Sequence, residues 1–173
     1  MQKKTPAGPA DRPAVLQNLE RRSDADLLNI FKNCVRLLAK GENRNAQLVQ
    51  AAIEKEWRRR IKTWSGDARP SEGMLAALGY HVGNNGESLA VRRRILRHVI
   101  EGDLPVIESV AYTNEWGGPG SQQRLEKLMR VLSNMVEGAR NNPSKTAAIA
   151  HWQADMDWLV QELLQERCAR DSH

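Results

Sequence analysis

Apolar residues in this chain recur every three or four positions wherever a segment is long enough to form an element. Nowhere do they alternate through a run of strand length. Leu27, Ile30, Phe31, Val35 and Leu38 form the first such series, and Val49, Ile53 and Trp57 the second. Val91, Ile95, Leu96, Val99 and Ile100 follow, then Leu125, Leu128, Leu132, Met135 and Ala139, and last Ile149, Trp152, Met156, Leu159 and Leu163. A 3.6-residue period gathers each series on one helix face, whereas a half-buried strand needs a period of two. Leu, Ala and Arg dominate and β-branched runs are nearly absent, which favours helix over sheet. The predicted fold is all-α: an N-terminal basic helical hairpin plus a C-terminal four-helix module with long glycine-rich loops.

Start and stop signals divide the chain. Ser23 can accept the amide of Asp26, and Asp24 and Asp26 suit the positive end of a helix dipole; Gly41 ends that helix. A second helix is expected over residues 45–63. Ser71 is read as the cap of a short apolar helix ended by Gly79, and Ser88 as the cap of a basic helix ended by Gly102. Residues 103–120 read as one long irregular segment containing Pro105 and Gly117-Gly-Pro-Gly120. Ser121 and Ser144 are read as caps of the last two helices, with Asn141-Asn-Pro143 between them. The predicted organisation is a disordered lead-in over residues 1–13, the basic hairpin over 14–65 and the helical module over 66–173, with the boundary near Gly66 to Pro70.

The net charge of +5 is unevenly placed. Residues 1–62 carry fourteen Lys and Arg against seven acids, the middle is balanced, and residues 143–173 are acidic. A localised basic region is the electrostatic footprint expected of a polyanion-binding protein. Two stripes concentrate it. Lys55, Arg58, Arg59 and Lys62 lie opposite the apolar face of the second helix, and Arg93, Arg94 and Arg97 lie opposite that of the basic helix. Arginine and lysine on one face neutralise phosphates and release condensed counter-ions. Arg92 projects from within the apolar arc, so an internal pair or carbonyl contacts are expected for it, with Glu108 or Glu115 as the acid.

Two further features invite a ligand. The loop from Trp116 to Ser121 delivers backbone to a helix N-terminus, where Arg124 could close on an anion and Trp116 could stack a base. Trp158, set beside His151, Asp155 and Glu162, marks a candidate partner or homodimer interface. The short helix preceding the basic one does not make a standard helix-turn-helix, because residues 79–87 insert nine where three or four are needed.

Catalytic chemistry finds no pattern. The histidines (His81, His98, His151, His173) have no metal-ligand spacing, no nucleotide glycine fingerprint is present, and Cys34 and Cys168 stand alone. No cofactor is expected, and an enzyme, the least favoured class, would need a pocket that brings His81, His98 or Asp103 together with other polar groups. No apolar run suits a membrane or a secretory leader, so no membrane partner is expected and the reading is cytoplasmic. The function expected from sequence is a non-catalytic nucleic-acid-binding or nucleic-acid-associated accessory protein, DNA or RNA unresolved. The alternative is a protein-interaction or scaffold module docking through Trp158 and the Trp116 loop.

Overall fold

The computed structural model describes residues 13–63 and 70–171, with side chains of the last helix described through Glu162. The expectations for residues 1–12, for the boundary at 66–69, and for Leu163, Cys168 and His173 lie outside the described residues. The described chain is all-helical, with α1 at Asp24–Lys40, α2 at Arg44–Ile61, α3 at Met74–Ala77 and α4 at Leu89–Glu101. It continues with α5 at Val110–Asn114, α6 at Gln122–Ala139 and α7 at Thr146–Asp171. None of these helices is long and apolar enough to cross a membrane.

Local chemistry sets most helix starts. Ser23 Oγ accepts the Asp26 amide at 3.1 Å while the Asp26 carboxylate accepts the Ser23 amide at 3.3 Å, a reciprocal capping box. Asn43 caps α2, Ser88 caps α4 and Ser121 caps α6. Three expectations are corrected. Ser71 does not cap α3, because its amide and hydroxyl both donate to the Glu108 carboxylate, at 3.1 and 2.9 Å. The first amide of α3, that of Met74, donates instead to the Tyr112 hydroxyl at 3.0 Å. Nor is the segment 103–120 wholly irregular. Ser109 caps the short helix α5 inside it, which is what carries Tyr112 to α3. Ser144 belongs to a 3-10 turn at Pro143–Lys145 that precedes α7.

α4 is the central helix, packed against α1 on one side and α6 on the other; α1 also packs on α2 and α6 on α7. One hydrophobic core runs through all of these elements. Phe31, Trp57 and the His98 ring meet at its α1–α2–α4 end, with ring centroids 4.5 to 6.1 Å apart. Fully buried Leu75, Leu78, Leu96, Leu128 and Leu132 continue it, each contributing roughly 1.5–3 kcal/mol by leaving water.

Three arginines staple this core from inside. Arg60 pairs with Asp24 at 2.6 Å and Glu56 at 2.7 Å and donates to the Arg22 carbonyl at 2.7 Å, locking the entry to α1 against α2. Arg92 joins α4 to α7, and Arg124 joins α6 to the end of α4.

Candidate functional site

Helix α4 turns its arginines in different directions, as 100° per residue requires. Arg92 points inward. Its Nε donates to Asp155 Oδ2 at 2.8 Å and its Nη1 to the Glu87 carbonyl at 3.0 Å, while the Tyr80 hydroxyl donates to the same carboxylate at 2.8 Å. Arg92, Asp155 and Tyr80 are all buried. Burial, with the Asp155 charge beside it, raises the Tyr80 phenol far above its ordinary value. The partner of Arg92 is thus Asp155 and not the expected Glu108 or Glu115; Glu115 pairs with Lys127 at 2.7 Å.

Arg93, Arg94 and Arg97 point away from the core into a cleft of about 760 Å³. Its walls are Leu38 and Ala39 of α1, Gln50 and Glu54 of α2, and Trp158 and Glu162 of α7. The guanidinium carbons of Arg93 and Arg97 stand 5.1 and 5.7 Å from the Trp158 ring centroid, a cation–π arrangement. Arg97 Nη2 donates to Glu162 Oε2 at 2.9 Å, and Trp158 Nε1 donates to Glu162 Oε1 at 3.0 Å.

The cleft's acids are mostly committed. Burial pushes the Glu54 carboxyl up, but the hydrogen bond and charge of His98, aided by Gln50, hold it below its ordinary value. His98 Nδ1 lies 3.5 Å from Glu54 Oε1, and Gln50 Nε2 donates to the same oxygen at 3.0 Å. Glu162 serves Arg97 and Trp158, and Glu101 is exposed at the rim. Arg93 and Arg94, both half-buried, have no carboxylate and no hydrogen bond among the described residues. Burial, and then the neighbouring Arg97 charge, depress the Arg94 pKa.

Eight buried side-chain polar atoms lack a hydrogen-bond partner among the described residues. Four of them, Gln50 Oε1, Arg93 Nε, Arg94 Nε and His98 Nε2, belong to residues lining this cleft. Unsatisfied buried polar groups are rare in folded proteins, so their concentration here distinguishes the cleft from the rest of the molecule.

The α2 stripe is divided. Arg58 forks onto Asp103, and Arg59 pairs with Glu56 at 2.6 Å on the other flank of the helix. Arg59's hydrogen bonds, with Arg60 adding to them, hold the Glu56 carboxyl down to about 2. Lys55 and Lys62 are exposed and have no ion-pair partner among the described residues.

The Trp116 loop is not presented to a ligand. Trp116 is 0 % exposed and Arg124 only 3 %. Arg124 donates to the carbonyls of Val99, Gly102, Trp116 and Gly117, at 3.1 and 2.7 Å for the first two. The reason is geometric. The first turn of α6 runs against the end of α4, whose last carbonyls need donors and favour a cation. Trp158, at 8 % exposure, is likewise no free docking aromatic, because Arg93 and Arg97 lie over its ring.

The structure therefore brings Arg93, Arg94, Arg97 and Trp158 together and leaves the α2 cations and the Trp116 loop elsewhere. Sequence reasoning missed Gln50 and Glu54. They lie one turn apart on the flank of α2, and that flank faces α4 only because α1 and α2 pack as they do. No group of three or more His, Cys, Asp or Glu among the described residues could hold a metal ion. No protein-family model matches the chain, and no curated protein or solved structure matches it.

Proposed function

We propose that the protein is a non-catalytic nucleic-acid-binding or nucleic-acid-associated accessory protein. Arg93, Arg94 and Arg97 of α4 make its principal phosphate contacts, and the exposed Lys55 and Lys62 of α2 add weaker, screened attraction. The supporting observation is the pair Arg93 and Arg94, half-buried in a cleft and without a carboxylate partner among the described residues. Three other enclosed arginines contrast with this pair: Arg60, Arg92 and Arg124 each satisfy their guanidinium with carboxylates or carbonyls, while Arg22, whose Nε is also unsatisfied, does not line the cleft. A desolvated guanidinium gains most from an anion with several acceptor oxygens, and phosphate supplies them in a geometry arginine matches.

The test compares fluorescence-anisotropy titrations of labelled DNA and RNA at several salt concentrations. The double variant Arg93→Gln/Arg94→Gln should bind about tenfold or more weakly at low salt. It should also lower the slope of log affinity against log salt by about 1.4–1.8, the loss of two phosphate contacts. Lys55→Gln/Lys62→Gln should lose less affinity. Equal losses from the two doubles, or an unchanged slope in the α4 double, would reject the assignment to the cleft.

A further inference from the structure

We infer that the cleft takes one unpaired nucleotide of a single-stranded nucleic acid, with its phosphate on Arg93 and Arg94 and a base N–H on the α2 wall. The inference rests on the nucleic-acid reading above and narrows it to a strand state and a binding register. Its basis is that three of the four unsatisfied atoms belonging to residues that line the cleft, those other than His98 Nε2, are of two kinds. Arg93 Nε and Arg94 Nε are donors that lack an acceptor. Gln50 Oε1, on the facing helix, is a buried acceptor that lacks a donor, and it sits beside the Glu54 carboxylate, to which its own amide is already bonded. An inorganic anion would satisfy the arginines and leave Gln50 Oε1 unpaired. A ligand answering both must carry anionic oxygens at one end and an N–H group at the other, which a nucleotide does.

The shape points the same way. At about 760 Å³ the cleft falls in the range of small-ligand sites and is concave between helices. A duplex keeps its phosphates on a convex exterior and its Watson–Crick donors paired, so it cannot place both in one such cleft without flipping a base out. An unpaired strand offers both groups freely, and arginine guanidinium planes are established stacking partners for unstacked bases. Arg93 and Arg97, already layered on Trp158, present such planes.

The acceptor wall also makes a base preference testable. Gln50 Oε1 and Glu54 suit the exocyclic amine of cytosine, whereas thymine flanks its only ring N–H with two carbonyl oxygens.

The experiment measures binding of the full chain to labelled oligo-dC, oligo-dT and a duplex of mixed sequence. Cytidine monophosphate and inorganic phosphate serve as competitors. Single-stranded oligo-dC is expected to bind about tenfold more tightly than either oligo-dT or the duplex. Cytidine monophosphate should compete at concentrations where inorganic phosphate does not. Gln50→Leu, with its helical circular dichroism and melting temperature shown to match the parent, should erase the preference for dC over dT while keeping the salt slope. Equal binding of single strand and duplex, equal competition by the two anions, or an undiminished dC preference in Gln50→Leu would each overturn the inference and leave the phosphate reading standing. Absence of binding to any nucleic acid at low salt would overturn both. The comparisons on the parent protein stand even if Gln50→Leu fails to fold.

Discussion

Asp155 holds a buried network together. Fully buried, it accepts from Arg92 and from Tyr80, and removing it strands a guanidinium and a phenol in the core. Asp155→Ala should therefore lose about 3–5 kcal/mol of folding stability in urea denaturation, against well under 1 kcal/mol for removing an exposed partner such as Glu137. Glu56 makes a different prediction. Its folded pKa of about 2 lies below the ordinary 4.5, so its contribution is complete above pH 4.5 and is lost as pH falls toward 2. Glu56→Gln should be less stable at neutral pH and should show a shallower loss of stability between pH 4.5 and 2. Some of this is legible from residues alone. The misfit of Arg92 with its apolar arc shows that it must be paired, because an unpaired buried charge is too costly to persist. Which acid pairs it does not follow from sequence, since Asp155 lies 63 positions away and only the packing of α4 beside α7 brings it near. Arg124 was misleading for the same reason: a cation near a helix start looks like an anion ligand until the end of another helix arrives against it.

Helices were readable where their signals are local. The capping residues of α1, α4 and α6 and the three-four apolar spacing act within one or two turns, and the structure uses them as the residues dictate. The short elements were not. α3 is a single turn whose leading amide is satisfied from α5 by Tyr112, a cap contributed across 38 positions. Tyr112→Phe should accordingly cost about 1 kcal/mol in thermal or chemical melts while leaving the long helices intact by circular dichroism. The site shows the same division. Arg93, Arg94 and Arg97 could be placed on one face from their spacing, but the α2 wall opposite them could not. The end of α4 is tightly determined as well: a Cβ on Gly102 would overlap the His98 ring, so the approach of His98 to Glu54 depends on glycine there.

Across the molecule, arginine has two separate uses. Arg60, Arg92 and Arg124 cross-link helices through guanidinium groups engaged by carboxylates and carbonyls, whereas Arg93, lying over the Trp158 ring, and Arg94 have no hydrogen-bond partner among the described residues. Charge totals do not reveal this separation, because the arginines of both groups count alike toward the net +5. The basic stripe on α2 reads from sequence as a phosphate-contacting face, yet two of its four cations are matched to acids in the fold. The proposed anion-binding element is the α4 pair. The most direct test follows the arginine Nε–Hε resonances by NMR during titration with a short single-stranded oligonucleotide. Large shifts are expected for Arg93 and Arg94, smaller ones for Arg97, and none for Arg60, Arg92 or Arg124. Stationary Arg93 and Arg94 signals at saturating oligonucleotide would contradict that assignment.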